Sequence, residues 1–167
     1  MTVNALVLTG FGINCDNETQ RALARAGANA ERVHLNDVLE NLDRLDKAHI
    51  QAIPGGFSFG DHVASGKVLA NRLRHKLGAP LERFVAEGKL IIGICNGFQV
   101  MVKMGLLPLF DGAFKQEATL AWNDTSRFEN RWVTLQAPEK NCCIWTRNLE
   151  KIALPIRHGE GKFIPGD

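Results

Sequence analysis

No run of apolar residues in this 167-residue chain reaches the length of a membrane-spanning helix, and residues 1–8 lack the charged-then-apolar layout of a secretory signal. A cytoplasmic location is therefore expected. Charge of either sign is nearly balanced: the net value of +2 is too small to point to nucleic acid, and the basic cluster Arg72, Arg74, His75 and Lys76 fits a solvated helix face. Cysteine is sparse. Cys15, Cys95, Cys142 and Cys143 show no Cys-x-x-Cys spacing and have no histidines at zinc-finger distances, so no metal site is expected. Adjacent Cys142 and Cys143 are awkward partners for a mutual disulfide, which favours reduced thiols in a reducing compartment. The glycine-rich stretch 54–61 lacks both a Gly-Lys-Ser/Thr ending and the Gly-x-Gly-x-x-Gly register, which leaves a nucleotide site unsupported.

What is present is ordinary globular composition, 45% hydrophobic and 23% charged, at a length that suits one domain over residues 1–167. Strands are predicted at 5–9, 30–35, 49–53 and 90–94 from short apolar or alternating runs. Helices are predicted at 18–26, capped by Asp16 or Asn17, at 63–77, at 81–87 and from Cys95 onward, with a short helix or turn at 38–45. Gly78-Ala-Pro80 separates the second helix from the third. This alternation predicts an α/β domain, a doubly wound and mostly parallel sheet with its site at the carboxyl ends of the strands. After about residue 115 the pattern changes. Strands predicted at 119–122, 131–135 and 142–146, with polar turns between them, indicate a small antiparallel insertion.

Chemistry concentrates at Gly93-Ile-Cys95-Asn-Gly97, where an apolar strand gives way to a helix. Gly-x-Cys-x-Gly is the thiol counterpart of the nucleophile elbow: the glycines let strand and helix pass closely, and the helix N-terminus favours a thiolate. A cysteine in an apolar segment is more often inert core, and the five-residue pattern alone leaves the two readings level. The loop Pro54-Gly-Gly-Phe-Ser-Phe-Gly-Asp61 offers a partner feature, since paired glycines can turn backbone N–H groups toward a developing oxyanion.

Gly-x-Cys-x-Gly-x-Gln at 93–99 and the glycine-rich string at 54–61 resemble the class I glutamine amidotransferases. Phe-Gly-Ile-Asn-Cys-Asp-Asn-Glu at 11–18, Trp-Asn-Asp-Thr-Ser-Arg-Phe-Glu-Asn-Arg-Trp-Val at 122–133 and Pro-Ile-Arg-His-Gly-Glu-Gly-Lys-Phe at 155–163 narrow this. Together they resemble the glutaminase subunits or domains of phosphoribosylformylglycinamidine synthases. The resemblance spans essentially the whole chain and implies a flavodoxin-like fold, with Cys95 attacking glutamine to form a thioester and release ammonia. It implies oxyanion donors at Gly56, Phe57 and Asn96, and glutamine contacts at Gln99, Asn123, Ser126, Phe128 and Arg131. It also implies a synthetase partner, with a small third subunit, that takes the ammonia and makes formylglycinamidine ribonucleotide for purine biosynthesis; ATP and magnesium belong to that partner, and no cofactor is expected here. The family's catalytic His and Glu lie in a Pro-His-Pro-Glu-type segment, which does not occur before Asp167, so a C-terminally incomplete domain is expected. His158 and Glu160 share the His-x-Glu spacing and would face one side of an extended segment. Three readings stay open: a glutaminase, a catalytically weak remnant that binds a synthetase, and another Cys-elbow α/β hydrolase.

Overall fold

The computed structural model describes residues 2–109 and 114–166. The chain divides into two compact units, Met1–Leu120 with Phe163–Asp167, and Ala121–Lys162. The first is built on a parallel sheet of β1 (Asn4–Thr9), β2 (Asn29–His34), β3 (Ile50–Ile53) and β4 (Leu90–Gly93), in the order β2-β1-β3-β4. This is the doubly wound, flavodoxin-like arrangement the sequence predicts. Strand order reverses between β1 and β3, and such a switch point leaves a crevice beyond the carboxyl ends of the strands. Loops 10–15 and 54–61 leave β1 and β3 at that place.

The interior strands are apolar on both faces because helices cover both sides of a parallel sheet. Val7, Leu8, Ala52 and Ile53 are all buried. The covering helices are α1 (Asp16–Arg25), α2 (Leu35–Glu40), α3 (Asp43–Asp46), α4 (Lys67–Ala86) and α5 (Asn96–Met104). The cap of α1 falls one residue before the nearer of the two expected, Asp16. Cys15 is the N-cap and makes no side-chain cap bond, while Thr19 Oγ1 donates to the Cys15 carbonyl at 2.6 Å. Asp16 instead pairs with Arg32 at 3.1 Å.

α4 corrects the prediction of two helices. It runs through Gly78 and Pro80 without a break, because Leu73, Leu77, Leu81 and Phe84 are all buried along one face. A proline inside a helix costs about 3 kcal/mol. Burying Leu81 and Phe84 beyond it returns roughly 1.5–3 kcal/mol each, enough to offset that cost. On α5, Val100, Val102 and Met104 are fully buried, and the buried Lys103 donates through Nζ to the Leu120 carbonyl at 3.0 Å.

In the second unit β6 (Glu129–Gln136) pairs antiparallel with β7 (Lys151–His158), from Glu129 opposite His158 to Gln136 opposite Lys151. The insertion is thus antiparallel, as predicted. β5 (Ala118–Trp122) pairs with β8 (Glu160–Pro165). The strand predicted at 142–146 is instead a loop with a 3-10 turn at Ile144–Thr146. Asn141 closes it, accepting from the Cys143 N–H and donating to the Thr146 carbonyl, both at 3.0 Å, and so takes up groups a ladder would need. Among the described residues no helix is long and apolar enough to cross a membrane.

Gly78 sits inside α4 with open space where a Cβ would stand. Gly78→Ala is expected to raise stability by about 0.5–1 kcal/mol, read as a higher denaturant midpoint at unchanged m; a lower midpoint would show that α4 is kinked at this residue.

Candidate active site

β4 ends at Gly93, but its pairing persists one residue further, with the Ile94 N–H donating to the Ile53 carbonyl at 3.1 Å. The chain then turns sharply. Cys95 has φ 53° and ψ −112°, outside the regions ordinarily open to an L-residue, and serves as the N-cap of α5. Holding such a residue costs on the order of 1–3 kcal/mol and requires surroundings that over-determine it. Those surroundings are visible: the Gly97 N–H donates to Ile94 O at 2.9 Å and the Gln99 N–H to Cys95 O at 3.1 Å. A methyl group on Gly97 would collide with the Ile53 carbonyl oxygen, and one on Gly93 would lie 2.6 Å from the Gly97 oxygen. The two glycines therefore permit the close passage of strand and helix expected from the sequence. Cys95 is exposed, with its thiol free.

Loop 54–61 follows β3 beside the elbow. A methyl group on Gly55 would stand 3.3 Å from Cys95 Cβ and 3.7 Å from Cys15 Sγ, so three separate segments converge there. The loop is stitched to residues 12–15: the Phe57 N–H donates to Gly12 O at 2.9 Å, and the N–H groups of Asn14 and Cys15 donate to Gly55 O, each at 3.1 Å. This corrects one expected oxyanion donor, because the Phe57 N–H is already spent on Gly12. The Gly56 N–H, between these bonds, has no acceptor among the described residues, and neither has the Asn96 N–H in the first turn of α5. Helix N-termini leave such donors available for negative charge.

Asn96 is buried with its side chain fully engaged. Its Oδ1 accepts from the Ser58 N–H at 3.1 Å, and its Nδ2 donates to Asp61 Oδ1 and to Gln99 Oε1, both at 3.0 Å. Gln99, expected to touch glutamine, is itself buried. Cys15 is the thiol neighbouring Cys95, and burial pushes its pKa up, reinforced by the charges of Glu18, Cys95 and Asp16.

The remaining expected site residues lie in the second unit. Asn123 is buried; its Nδ2 donates to Arg127 O at 2.9 Å and to His158 O at 2.8 Å. With the amide so oriented, Asn123 Oδ1 accepts from the Gly161 N–H at 3.2 Å and from His158 Nδ1 at 2.9 Å. In this orientation His158 Nδ1 is the donor to Asn123. His158 and Glu160 do not share one extended segment. The chain bends at Gly159, so His158 ends β7 while Glu160, buried, begins β8. Ser126 (φ 52°), Phe128 and Arg131 are exposed, and Arg131 Nε pairs with Glu129 at 3.3 Å. Among the described residues no group of three or more His, Cys, Asp or Glu is placed to hold a metal ion.

Two participants in the elbow's surroundings escaped the sequence reading. Cys15 sits inside a motif noted at 11–18, and Asp61 closes the glycine-rich string, but neither has a neighbour in sequence that announces its contact with residues 95–96.

A parallel sheet that presents a thiol at a strand-to-helix elbow defines a Cys-elbow α/β protein. The family model of the CobB/CobQ-like glutamine amidotransferase domain matches residues 2–167, and the chain belongs to that family. It is 46% identical over 164 residues to the phosphoribosylformylglycinamidine synthase subunit PurQ of Dehalococcoides mccartyi, covering 97% of this chain and 63% of that protein. PurQ of Thermotoga maritima is 36% identical, across 100% of this chain and 71% of the relative. A chain in the structure of PurLQS from Thermotoga maritima superposes with a TM-score of 0.80 at 35% identity, over 100% of this chain and 71% of that one. The fold is that of the class I glutamine amidotransferases. The chain spans about three-fifths of the length of the first curated relatives it matches.

Gly97→Ala forces its new methyl against the Ile53 carbonyl. It is expected to destabilise the chain by about 3 kcal/mol in urea unfolding, and a neutral result would mean that the elbow is wider than described.

Proposed function

We propose that this chain is the glutaminase component of a phosphoribosylformylglycinamidine synthase. The observation that carries the conclusion is the exposed Cys95 at an elbow held by Gly93 and Gly97, in a chain whose relatives are PurQ subunits. The Cys95 sulfur attacks the side-chain amide carbon of glutamine, and the carbonyl electrons move onto oxygen. That oxyanion is held by the Gly56 and Asn96 N–H groups, neither of which has an acceptor among the described residues. Collapse expels ammonia with the proton taken from the thiol and leaves a γ-glutamyl thioester. Water then releases glutamate and restores the thiol. Gln99 belongs, in this proposal, to the lining of the glutamine site.

Ammonia so released passes to a synthetase partner that makes formylglycinamidine ribonucleotide in the cytoplasm, with a small third subunit completing the assembly. The naming of PurLQS for a three-letter set supports this, as do 36–46% identities to PurQ proteins. ATP and magnesium belong to the synthetase, and this chain works through its own thiol without a cofactor. The whole of residues 2–167 acts as one amidotransferase domain, supported by the extent of the family match. His158 is assigned a structural part rather than that of the base, since its ring is tied to Asn123 and Gly159 bends the chain away from an extended His-x-Glu arrangement.

Incubation with the chloroketone analogue of glutamine followed by peptide mass spectrometry tests this directly. Label is expected on Cys95, suppressed by excess glutamine and lost in Cys95→Ala. A folded chain without label on Cys95 would sink the proposal. His158→Ala is expected to lower the melting temperature while leaving that label in place; loss of the label in a folded His158→Ala chain would return His158 to the site.

A further inference from the structure

We propose that the side chains of Asp61 and Asn96 form a positioning pair that sets the Gly56 and Asn96 N–H groups around a single oxyanion, an inference resting on Cys95 being the glutamine nucleophile proposed above. The two donors come from different places in the chain, one from the loop after β3 and one from the first turn of α5. An oxyanion hole works only when its donors are preorganised, and a displacement of about 1 Å can cost 10²-fold in rate. Something must therefore lock the loop to the helix.

The Asn96 side chain does so. It is 2% exposed and reaches across the crevice to both Ser58 N–H and Asp61 Oδ1, residues 38 and 35 positions away. Asp61 in turn holds the loop to the start of α4: its Oδ2 accepts from Ser65 Oγ at 3.1 Å and its Oδ1 from the Gly66 N–H at 3.4 Å. The loop needs such a clamp because Phe59, Gly60 and Asp61 have φ of 54°, 66° and 53° in succession, a backbone that persists only when over-determined. Its other flank is fixed independently. Phe59 donates its N–H to Phe11 O at 2.6 Å, the two rings stack at 4.8 Å, and the Arg72 guanidinium lies 5.4 Å from each ring centre. Gly56 is thus suspended between a seam to residues 12–15 on one side and the Asp61–Asn96 clamp on the other. Neither side chain is asked to touch glutamine.

Two electrophiles separate positioning from a general effect on the thiol. The chloroketone analogue of glutamine adds through its carbonyl and generates an oxyanion, whereas iodoacetamide is displaced directly and generates none. In Asp61→Ala the rate of Cys95 labelling by the chloroketone is expected to fall about 10-fold or more, while labelling by iodoacetamide stays within about two-fold. Asp61→Asn keeps an oxygen acceptor for Asn96 Nδ2 and is expected to recover chloroketone labelling to within about three-fold of the parent chain. Should Asp61→Ala fail to fold by circular dichroism, Asp61→Glu, which displaces the carboxylate by one methylene, makes the same comparison. Equal slowing with both reagents, no slowing with either, or no rescue by Asp61→Asn would overturn the positioning role while leaving Cys95 as the glutamine nucleophile. A parent chain labelled at Cys95 by iodoacetamide but never by the chloroketone would overturn the glutaminase proposal itself, and this inference with it.

Discussion

The structure depends on one close approach, that of Gly97 at the start of α5 to the Ile53 carbonyl at the end of β3. With no side chain on Gly97, the helix can press against the sheet. With the helix pressed there, Cys95 has no room for an ordinary backbone conformation and is driven to φ 53°. The strain, on the order of 1–3 kcal/mol, is sustained by the burial of Val100, Met101, Val102 and Met104, which anchor α5 in the core. A packing requirement is thereby converted into a presented thiol. The same approach brings Asn96 over loop 54–61, so the residue next to Cys95 joins two segments that a parallel sheet otherwise only sets side by side.

The electrostatics follow the same geometry. The carboxyl ends of the strands, a helix N-terminus and loop amides all gather beside Cys95, where an anionic intermediate would be stabilised. The second thiol in this neighbourhood is Cys15, whose pKa is raised by partial desolvation and by the acidic groups near it. In the other unit Asn123 performs a comparable organising task. Its single amide fastens the turn at 127, the end of β7 and the Gly161 N–H, and meets the His158 ring at Nδ1.

Much of this was legible in the residues. The strand–helix alternation predicts the parallel sheet, because strands buried on both faces are mostly apolar, and Gly-x-Cys-x-Gly predicts the elbow because only glycine permits such contacts. The family was legible in five separated motifs. What was not legible involved competition between local and tertiary terms. Gly78 and Pro80 argue for a helix end, but Leu81 and Phe84 have a core to enter, and α4 continues. The apolar run at 142–146 suggests a strand, but the Asn141 side chain supplies the partners its backbone would otherwise seek in a sheet. The Phe57 N–H was expected at the oxyanion; a bond to Gly12, some 45 residues upstream, redirects it. The clamp between Asp61 and Asn96 is a contact between distant positions of common residue types, and no spacing rule reveals it.

The central claim is that Cys95 carries the glutamyl group. The most direct measurement is acid quenching of the chain during incubation with isotopically labelled glutamine, followed by peptide mass spectrometry. A labelled glutamyl thioester on the peptide containing Cys95, decaying as labelled glutamate accumulates, is the predicted result. Labelled glutamate accumulating with no adduct on that peptide, or with the adduct on Cys15 instead, would contradict it.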